Sequence, residues 1–153
     1  MFKTIGVIAD THGLLRPAAI EALQGVDAII HAGDIGKEEI VHELVQIAPL
    51  TVIRGNIDTD AWAQTYPDTA TLEILGHSIY IIHNLKDLDV SSEHRFSVVV
   101  SGHSHSPKNE VKDKTLYFNP GSAGPRRFKL PVTIGKLSVG EGKVSGEIIR
   151  LDI

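Results

Sequence analysis

The first third of the chain alternates strand-like and helix-like segments, and this alternation restricts the fold more than any other feature. Continuous apolar runs of strand length cover residues 4–9, 28–31 and 50–53. Between them, Pro17 to Gln24 begins with a proline suited to a first helical turn, and Lys37 to Ile47 carries apolar residues at helical spacing. Continuous hydrophobicity is typical of strands that are covered on both faces. We therefore predict a βαβαβ unit with parallel strands.

Beyond Asp60 the sequence predicts strands joined by short connections. These strands are predicted at residues 71–75, 78–82, 98–100, 108–112, 115–118, 132–139 and 143–151. Gly76-His77 is predicted to form the turn of the first hairpin, and a short helix is predicted within residues 85–94. Because no linker or low-complexity tract interrupts the 153 residues, we predict one domain, residues 1–153.

The composition restricts the location and the chemistry of the protein. No apolar run has the length of a membrane span, and no signal-peptide pattern precedes the first strand, so we expect a cytoplasmic protein with no membrane partner. Because the chain has no cysteine, any metal ion must be held by histidine, aspartate, glutamate or asparagine. The formal net charge of −4 and the absence of a long basic stripe argue against nucleic acid as a partner.

Metal-binding types of side chain follow several of the predicted strands. The β-branched run at residues 98–100 ends at Ser101-Gly-His-Ser-His105, where Gly102 allows the backbone to bend so that the two imidazoles lie on the same side. Each such residue alone has an ordinary explanation as a helix cap, a turn residue or a structural histidine. Ligands in α/β sheets bind beyond the carboxyl ends of strands, so we expect seven side chains to converge: Asp10, His12, Asp34, Asn56, His83, His103 and His105.

Seven nitrogen and oxygen ligands are too many for one transition-metal ion and suit two ions that share a carboxylate, for which Asp34 is the natural bridge. Such ligands suit Mn²⁺, our first choice, and also Ni²⁺, Fe or Zn²⁺. Two ions roughly 3.5–4 Å apart polarise a phosphoryl group, activate water and stabilise the entering and leaving oxygens. We therefore predict a hydrolase of a small phosphoester, in which Asp34, Asn56 and His83 also serve catalysis.

These residues resemble the motifs of the calcineurin-like metallophosphoesterase superfamily, and the similarity spans nearly the whole chain. The matching motifs, in order, are Asp10-x-His12, Gly33-Asp34, Gly55-Asn56, His83 and Gly102-His-x-His105. The size of the chain and its Asn119-Pro-Gly-Ser122 segment resemble the small YfcE-like phosphodiesterase branch, which implies that the phosphoester is foremost a phosphodiester.

The resemblance implies an α/β fold of four layers, an α/β/β/α sandwich of two mixed β-sheets flanked by helices, with the site at the sheet edges. It also implies the ligands of each metal ion. One ion is expected to take Asp10, His12, Asp34 and His105, and the other Asp34, Asn56, His83 and His103.

Two positions depart from the pattern of the superfamily. Larger relatives place a histidine, a candidate general acid, where this chain has Ile57. Many small relatives follow the ligand at His83 with Gly-His, where this chain has Asn84-Leu85. The metal ligands are thus complete, while the usual candidates for proton donation are missing.

Further residues are assigned supporting roles. Asp58 is predicted to orient a metal-binding loop or a ligand histidine, or else to be a turn residue. Asn119 and Ser122 are assigned to the surroundings of the ligands. Arg126 and Arg127, followed by Lys129, either hold a substrate phosphate or form a solvated basic turn.

Other functions are compatible with the expected fold. One is a non-catalytic scaffold or binding protein, as in the retromer subunit that resembles this superfamily but has a degraded metal site. The seven filled ligand positions of this chain favour an enzyme. Another is a nuclease, which the net charge and the small size disfavour. Because small relatives form dimers or tetramers, we expect a homo-oligomer.

Overall fold

The computed structural model describes residues 1–89, 91 and 95–153. In chain order the helices and strands are β1 (Phe2–Ile8), α1 (Pro17–Ala22), β2 (Ala28–His31), α2 (Glu38–Val45), β3 (Leu50–Val52), β4 (Thr69–Ile74), β5 (His77–Ile82), β6 (Val98–Val100), β7 (Lys108–Lys112), β8 (Thr115–Asn119), β9 (Thr133–Gly140) and β10 (Lys143–Arg150). Two short 3-10 helices cover Ala61–Thr65 and Leu85–Asp87.

The strands of the described residues form two mixed sheets of five strands each. The first sheet has the order β10-β9-β1-β2-β3 and the second has the order β4-β5-β6-β8-β7. In the first sheet β1, β2 and β3 are parallel, which confirms the βαβαβ unit, and β9 and β10 are antiparallel additions. In the second sheet β5, β6 and β8 are parallel, and the antiparallel β4 and β7 form the edges. The predicted α/β fold of two mixed sheets is confirmed.

Apolar residues fill three layers of packing. The central cluster lies between the two sheets and includes Ile5, Ile30, Ile81 and Phe118. A second cluster joins the first sheet to α1 and α2. A small third cluster, around Tyr117, lies on the outer face of the second sheet, where Leu85, Leu88 and Phe96 pack against it. None of the helices in the described residues is long and apolar enough to cross a membrane.

The two sheets interlock at Phe118 and His77. The ring of Phe118 fills the space beside two glycines, Gly135 of β9 and Gly146 of β10; a Cβ added at Gly146 would lie 2.6 Å from the ring. His77 Nε2 donates to the carbonyl of Gly140 at 2.8 Å, and its Nδ1 accepts from Ser97 Oγ at 2.8 Å. The position of one sheet against the other is therefore fixed by close packing and by hydrogen bonds.

Two of the local predictions need correction. The turn of the first hairpin is Leu75-Gly76, with φ of 48° and 81°, rather than Gly76-His77, and His77 is the first residue of β5. Both residues have the left-handed backbone that a two-residue turn between twisted strands favours. The helix predicted within residues 85–94 is a single 3-10 turn at Leu85–Asp87. Residues 90 and 92–94 of that prediction lie outside the described part of the chain.

Candidate metal centre

The seven predicted ligand residues lie on loops at the carboxyl ends of parallel strands from both sheets. The loops after β1, β2 and β3 carry Asp10, His12, Asp34 and Asn56, and the loops after β5 and β6 carry His83, His103 and His105. The centre therefore lies where the two sheets meet, as expected for ligand sites of α/β sheets. The structure brings all seven together, whereas their binding of metal stays a prediction.

The side chains form two clusters joined by Asp34. In the first cluster, potential ligand atoms of Asp10, His12 and His105 lie within 4.8 Å of one another. In the second cluster, those of Asp34, His83 and His103 do the same. Asp34 Oδ2 lies 3.4 Å from His12 Nε2 and 3.3 Å from His83 Nε2, so this carboxylate faces both clusters.

Asn56 belongs to the second cluster. Its Oδ1 lies 3.0 Å from His83 Nε2 and 3.2 Å from His103 Nδ1. Asp10 Oδ1 lies 3.9 Å from both His83 Nε2 and His105 Nε2, so this carboxylate contacts both clusters. The other contacts group the residues as the resemblance implies, with Asp34 between the two groups.

The backbone is left-handed at most of these residues. The φ angles are 55° at Asp10, 47° at His12, 57° at Asp34, 71° at His103 and 63° at His105. Residues other than glycine rarely adopt this conformation, because Cβ then lies too close to the backbone. Clusters of such residues are typical of active and ligand sites, where the surrounding structure holds the strain.

The orientation of His83 leaves a lone pair facing a carboxylate. Its Nδ1 donates to the carbonyl of Ala32 at 2.8 Å, so Nε2 of the neutral ring is an acceptor that faces Asp34 Oδ2. Burial lowers the pKa of His83, but the hydrogen bonds to Asp34 and Ala32 and the charges of Asp34 and Asp10 together outweigh it, so the pKa is raised. Burial raises the pKa of Asp34, but the hydrogen bonds from His83 and Ile57 and the charges of His83 and His12 together outweigh it, so the pKa is lowered. This pair favours a positive charge between the two atoms, either a proton or a metal ion.

Two buried nitrogens of the first cluster lack a hydrogen bond among the described residues. These are His12 Nε2 and His105 Nδ1. A buried polar atom without a partner is rare, and a metal ion or an ordered water can serve as that partner. Burial, followed by the charge of Arg127, lowers the pKa of His105 to about 4, so its imidazole is neutral near pH 7. Neutral imidazoles with carboxylate and amide oxygens are a donor set that fits divalent transition-metal ions.

Asp10, a member of the first cluster, is fully buried. Burial raises its pKa to about 7, against the attraction of His83. The backbone N–H of His103 donates to Asp10 Oδ2 at 3.1 Å. A carboxylate in this place is stabilised in its charged form by a nearby cation, which is the function that a metal ion would serve.

Asp58 holds the loops of two ligands. Its carboxylate accepts hydrogen bonds from the backbone N–H groups of Ile35 and Gly36, both at 3.0 Å, and of Gly55 at 2.8 Å. These residues adjoin Asp34 and Asn56. Of the roles considered for Asp58, the contacts support orientation of the loops, and the carboxylate bonds to no ligand histidine among the described residues.

Asn119 and Ser122 contact the backbone of other ligand loops. Asn119 Nδ2 donates to the carbonyl of Gly102 at 3.0 Å, immediately before His103. Ser122 Oγ donates to the carbonyl of Asp10 at 3.1 Å. Both residues therefore hold the ligand loops after β1 and β6 in place.

Sequence reasoning missed His31 and Thr11, both fully buried. Thr11 Oγ donates to the carbonyl of Ile35 at 2.8 Å and accepts from His31 Nε2 at 3.0 Å. His31 Nδ1 accepts from the N–H of Gly33 at 3.1 Å. Burial lowers the pKa of His31 to about 4, which keeps the ring neutral. Its position as the last residue of a buried strand was the available signal.

Arg126 and Arg127 are exposed and lie beside the first cluster. With His12, His105 and Pro125 they line a cavity of about 200 Å³. Lys129 is exposed and does not line this cavity. The two arginines are therefore placed where a ligand of the first cluster could reach them.

The sequence matches the model of one protein family, described as the calcineurin-like phosphoesterase superfamily domain, over residues 4–142. A probable metallophosphoesterase of Methanothermobacter thermautotrophicus is 31% identical over 161 residues, which cover 95% of this chain and 91% of that protein.

Solved structures with the same fold include an archaeal phosphodiesterase and a vacuolar protein sorting protein. The phosphodiesterase is 25% identical, with a TM-score of 0.75, over 95% of this chain and 99% of that one. Vacuolar Protein Sorting 29 from Cryptosporidium parvum is 17% identical, with a TM-score of 0.77, over 99% of both chains. The second likeness shows the fold alone.

Proposed function

Because the chain belongs to the calcineurin-like phosphoesterase superfamily, we propose that it is a metal-dependent hydrolase that cleaves a phosphodiester bond at a dinuclear centre. The observation that carries this proposal is the carboxylate of Asp34 between two clusters of imidazole and carboxylate groups. A carboxylate between two clusters can bind two neighbouring metal ions at once, and such ion pairs catalyse phosphoryl displacement. The likeness to an archaeal phosphodiesterase supports the choice of a diester substrate.

Each of the two metal ions would have four ligand residues, with Asp34 shared between them. Asp10, His12, Asp34 and His105 would hold one ion, and Asp34, Asn56, His83 and His103 the other. Manganese is the ion that we propose. Two bound ions supply Lewis acidity to the phosphoryl group and generate a nucleophile from water near neutral pH. The water oxygen forms the new bond to phosphorus, the ester bond breaks, and the leaving oxygen takes up a proton.

Protein groups orient the ligands before substrate arrives. The N–H of Ile57 donates to Asp34 Oδ1 at 3.1 Å, which leaves Oδ2 facing the two clusters. The carbonyl of Ala32 fixes the ring of His83, and Asp58 fixes the loops of Asp34 and Asn56. Such outer contacts raise ligand basicity and limit movement. We further propose that Arg126 and Arg127 bind an anionic oxygen of the substrate, since guanidinium groups suit phosphate.

The test is metal-dependent hydrolysis by purified protein. Protein stripped with chelator should hydrolyse neither bis(4-nitrophenyl) phosphate nor 4-nitrophenyl phosphate, and Mn²⁺ should restore activity, with the diester preferred. His105→Asn should abolish activity. The matched variant His42→Asn, at an exposed histidine of α2, should keep it. Full activity in chelator, or a preference for the monoester, would contradict the proposal.

A scaffold function is the second candidate, favoured by the fold shared with Vacuolar Protein Sorting 29. The same experiment separates the two candidates. A scaffold, whether or not it binds metal, would hydrolyse neither ester with any metal ion. The intact pair of clusters favours the enzyme.

A further inference from the structure

A groove leads away from the second cluster across the outer face of the second sheet. It consists of two adjoining cavities, of about 580 Å³ and 310 Å³, that share Leu85, Lys86, Lys108 and Glu110. The larger cavity reaches His103, and the smaller one continues to Leu88, Lys112 and Tyr117. We call the two together the lysine groove.

The floor of the lysine groove is apolar. Leu85, Leu88 and the largely buried Tyr117 belong to the third apolar cluster, which covers this face of the sheet. Half-buried leucines in an open cavity offer contact area to an apolar or aromatic group. The groove is therefore suited to an organic substituent and not only to a small hydrated ion.

The rim of the lysine groove is basic. Lys108, Glu110 and Lys112 share one face of β7, because alternate residues of a strand point the same way. The rise of a strand places Lys112 about 13 Å from Lys108. Lys86 adds a third ammonium group, against the single carboxylate of Glu110.

The ammonium groups of these lysines have no partner in the part of the chain that the structure describes. None of the three ammonium groups forms an ion pair or a side-chain hydrogen bond within the described residues. The whole chain has a net charge of −4, so the excess of positive charge in the groove is local. Unpaired cations along an apolar floor attract a ligand that is both organic and anionic.

We propose that the lysine groove binds the part of the diester substrate that does not react, and that this part carries an apolar or aromatic group and a second anionic group. The anionic group pairs with Lys108 or Lys112 while the organic group lies over Leu85 and Tyr117. The inference rests on the proposed function, since it names the substrate class of the same centre. It predicts selectivity between diesters that differ only in this second charge.

The test compares two diesters, 4-nitrophenyl 4-carboxyphenyl phosphate and its carboxylate methyl ester. The parent, loaded with Mn²⁺, should show a kcat/KM about three- to ten-fold higher for the carboxylate, as expected for exposed charge pairs. The double variant Lys108→Gln with Lys112→Gln should bring this ratio to about one. Lys143→Gln, at an exposed lysine of β10 that lines neither cavity, should leave it unchanged. Added salt should reduce the preference of the parent.

An equal kcat/KM for the two diesters in the parent, or a preference that survives in the double variant, overturns the inference while the proposed function stands. If neither diester is hydrolysed, the proposed function fails, and the affinities of the same two compounds are measured by calorimetry. Tighter binding of the carboxylate by the parent than by the double variant then supports the groove on its own, and equal affinities overturn it.

Discussion

The carboxylate of Asp34 faces histidines of both clusters, whereas Asn56 contacts the histidines of the second cluster alone. Loss of the Asp34 charge should weaken both metal positions, and loss of the Asn56 amide should weaken one. Mutation of a residue that only hydrogen-bonds to a metal ligand typically lowers metal affinity or activity by about 10–100-fold. We therefore expect Asp34→Asn to lower kcat/KM by at least about 100-fold, and by more than Asn56→Ala does. Metal content per chain, measured with kcat/KM, checks this order. Small and equal losses would show that Asp34 is not the bridge.

Ile57 is 42% exposed and occupies the position where larger relatives carry a histidine. In the described residues, no histidine outside the seven lines the cavities beside the centre. General acid catalysis typically contributes about 10²–10⁴-fold, and its absence is felt most with basic leaving groups. We therefore expect rates that fall steeply as the pKa of the leaving group rises, and we expect Ile57→His to accelerate alkyl diesters more than nitrophenyl diesters.

The measurement for Ile57 is kcat/KM over a series of diesters with graded leaving groups, in parent and variant. A flat series in the parent would mean that another group already supplies the proton. In that case Ile57→His should bring no selective gain.

At the scale of whole elements, the loops after β2 and β3 depend on one carboxylate. Asp58 accepts three backbone N–H groups, and an amide in its place offers one acceptor oxygen instead of two. We expect Asp58→Asn to reduce metal affinity and activity by about 10–100-fold without removing a ligand. Metal titration against kcat/KM checks this, with Asp60→Asn, at an exposed neighbouring acid, as the control. Unchanged affinity in Asp58→Asn would contradict the loop-holding role.

The contact between the two sheets is tight around Phe118. A methyl group at Gly135 would overlap the ring of Phe118, so we expect Gly135→Ala to lower the free energy of unfolding by about 1–3 kcal/mol. Gly142→Ala is the control, because nothing lies within 4 Å of a Cβ placed there. Denaturant unfolding measures both. Phe118→Leu should recover part of the loss in the Gly135→Ala background, and the absence of any recovery would place the strain elsewhere.

Strand positions followed from the sequence better than turns did. The runs at 28–31 and 98–100 are strands with the predicted bounds, because continuous apolar runs report burial directly. The strand at 108–112 also has the predicted bounds, although all of its residues are exposed. The predicted position of the hairpin turn was wrong by one residue, because Leu75 adopts a left-handed backbone, a conformation that a leucine side chain disfavours. The pairing of β4 with β5, in register across Thr71 and Tyr80, overrides that local preference.

For the whole molecule, His31 couples stability to pH. Its pKa is lowered to about 4 in the fold, against 6.5 for the free side chain, by complete burial. As the pH falls from 6.5 to about 4, His31 binds a proton in the unfolded chain but stays neutral in the folded chain. The free energy of unfolding therefore decreases, by about 3 kcal/mol for a shift of this size. We expect the metal-free protein to lose stability between about pH 6.5 and pH 4.

His31→Asn removes the titrating ring and should therefore flatten this loss in part. The asparagine oxygen can still accept the hydrogen bond from the N–H of Gly33. The lowered pKa of His105 acts in the same direction, and the raised pKa of Asp10 acts against it; both remain in the variant. Urea unfolding across this pH range measures the difference between parent and variant. Parallel pH profiles would remove His31 as a cause, and the exposed His42→Asn provides the reference.

Which residues gather at the centre could be predicted, and what holds them could not. Strand ends place all seven predicted ligands on the same side of the molecule, because the carboxyl ends of parallel strands coincide. The supports are different, since Asp58 reaches Ile35 and Gly36, and His31 reaches Thr11, across about twenty residues of sequence. Such partners depend on how the loops fold, and no local pattern reports them. Oligomeric state stays a prediction.

The left-handed backbone of five ligand residues bears on the evolution of such a chain. Asp10, His12, Asp34, His103 and His105 each keep a side chain where glycine would remove roughly 1–3 kcal/mol of strain. A lineage that no longer used the centre would gain stability by drifting to glycine there, one substitution at a time. A descendant that keeps the fold and no ligands is thus easily reached by mutation. The reverse path, back to a working centre, would have to climb in free energy at every step until metal could bind.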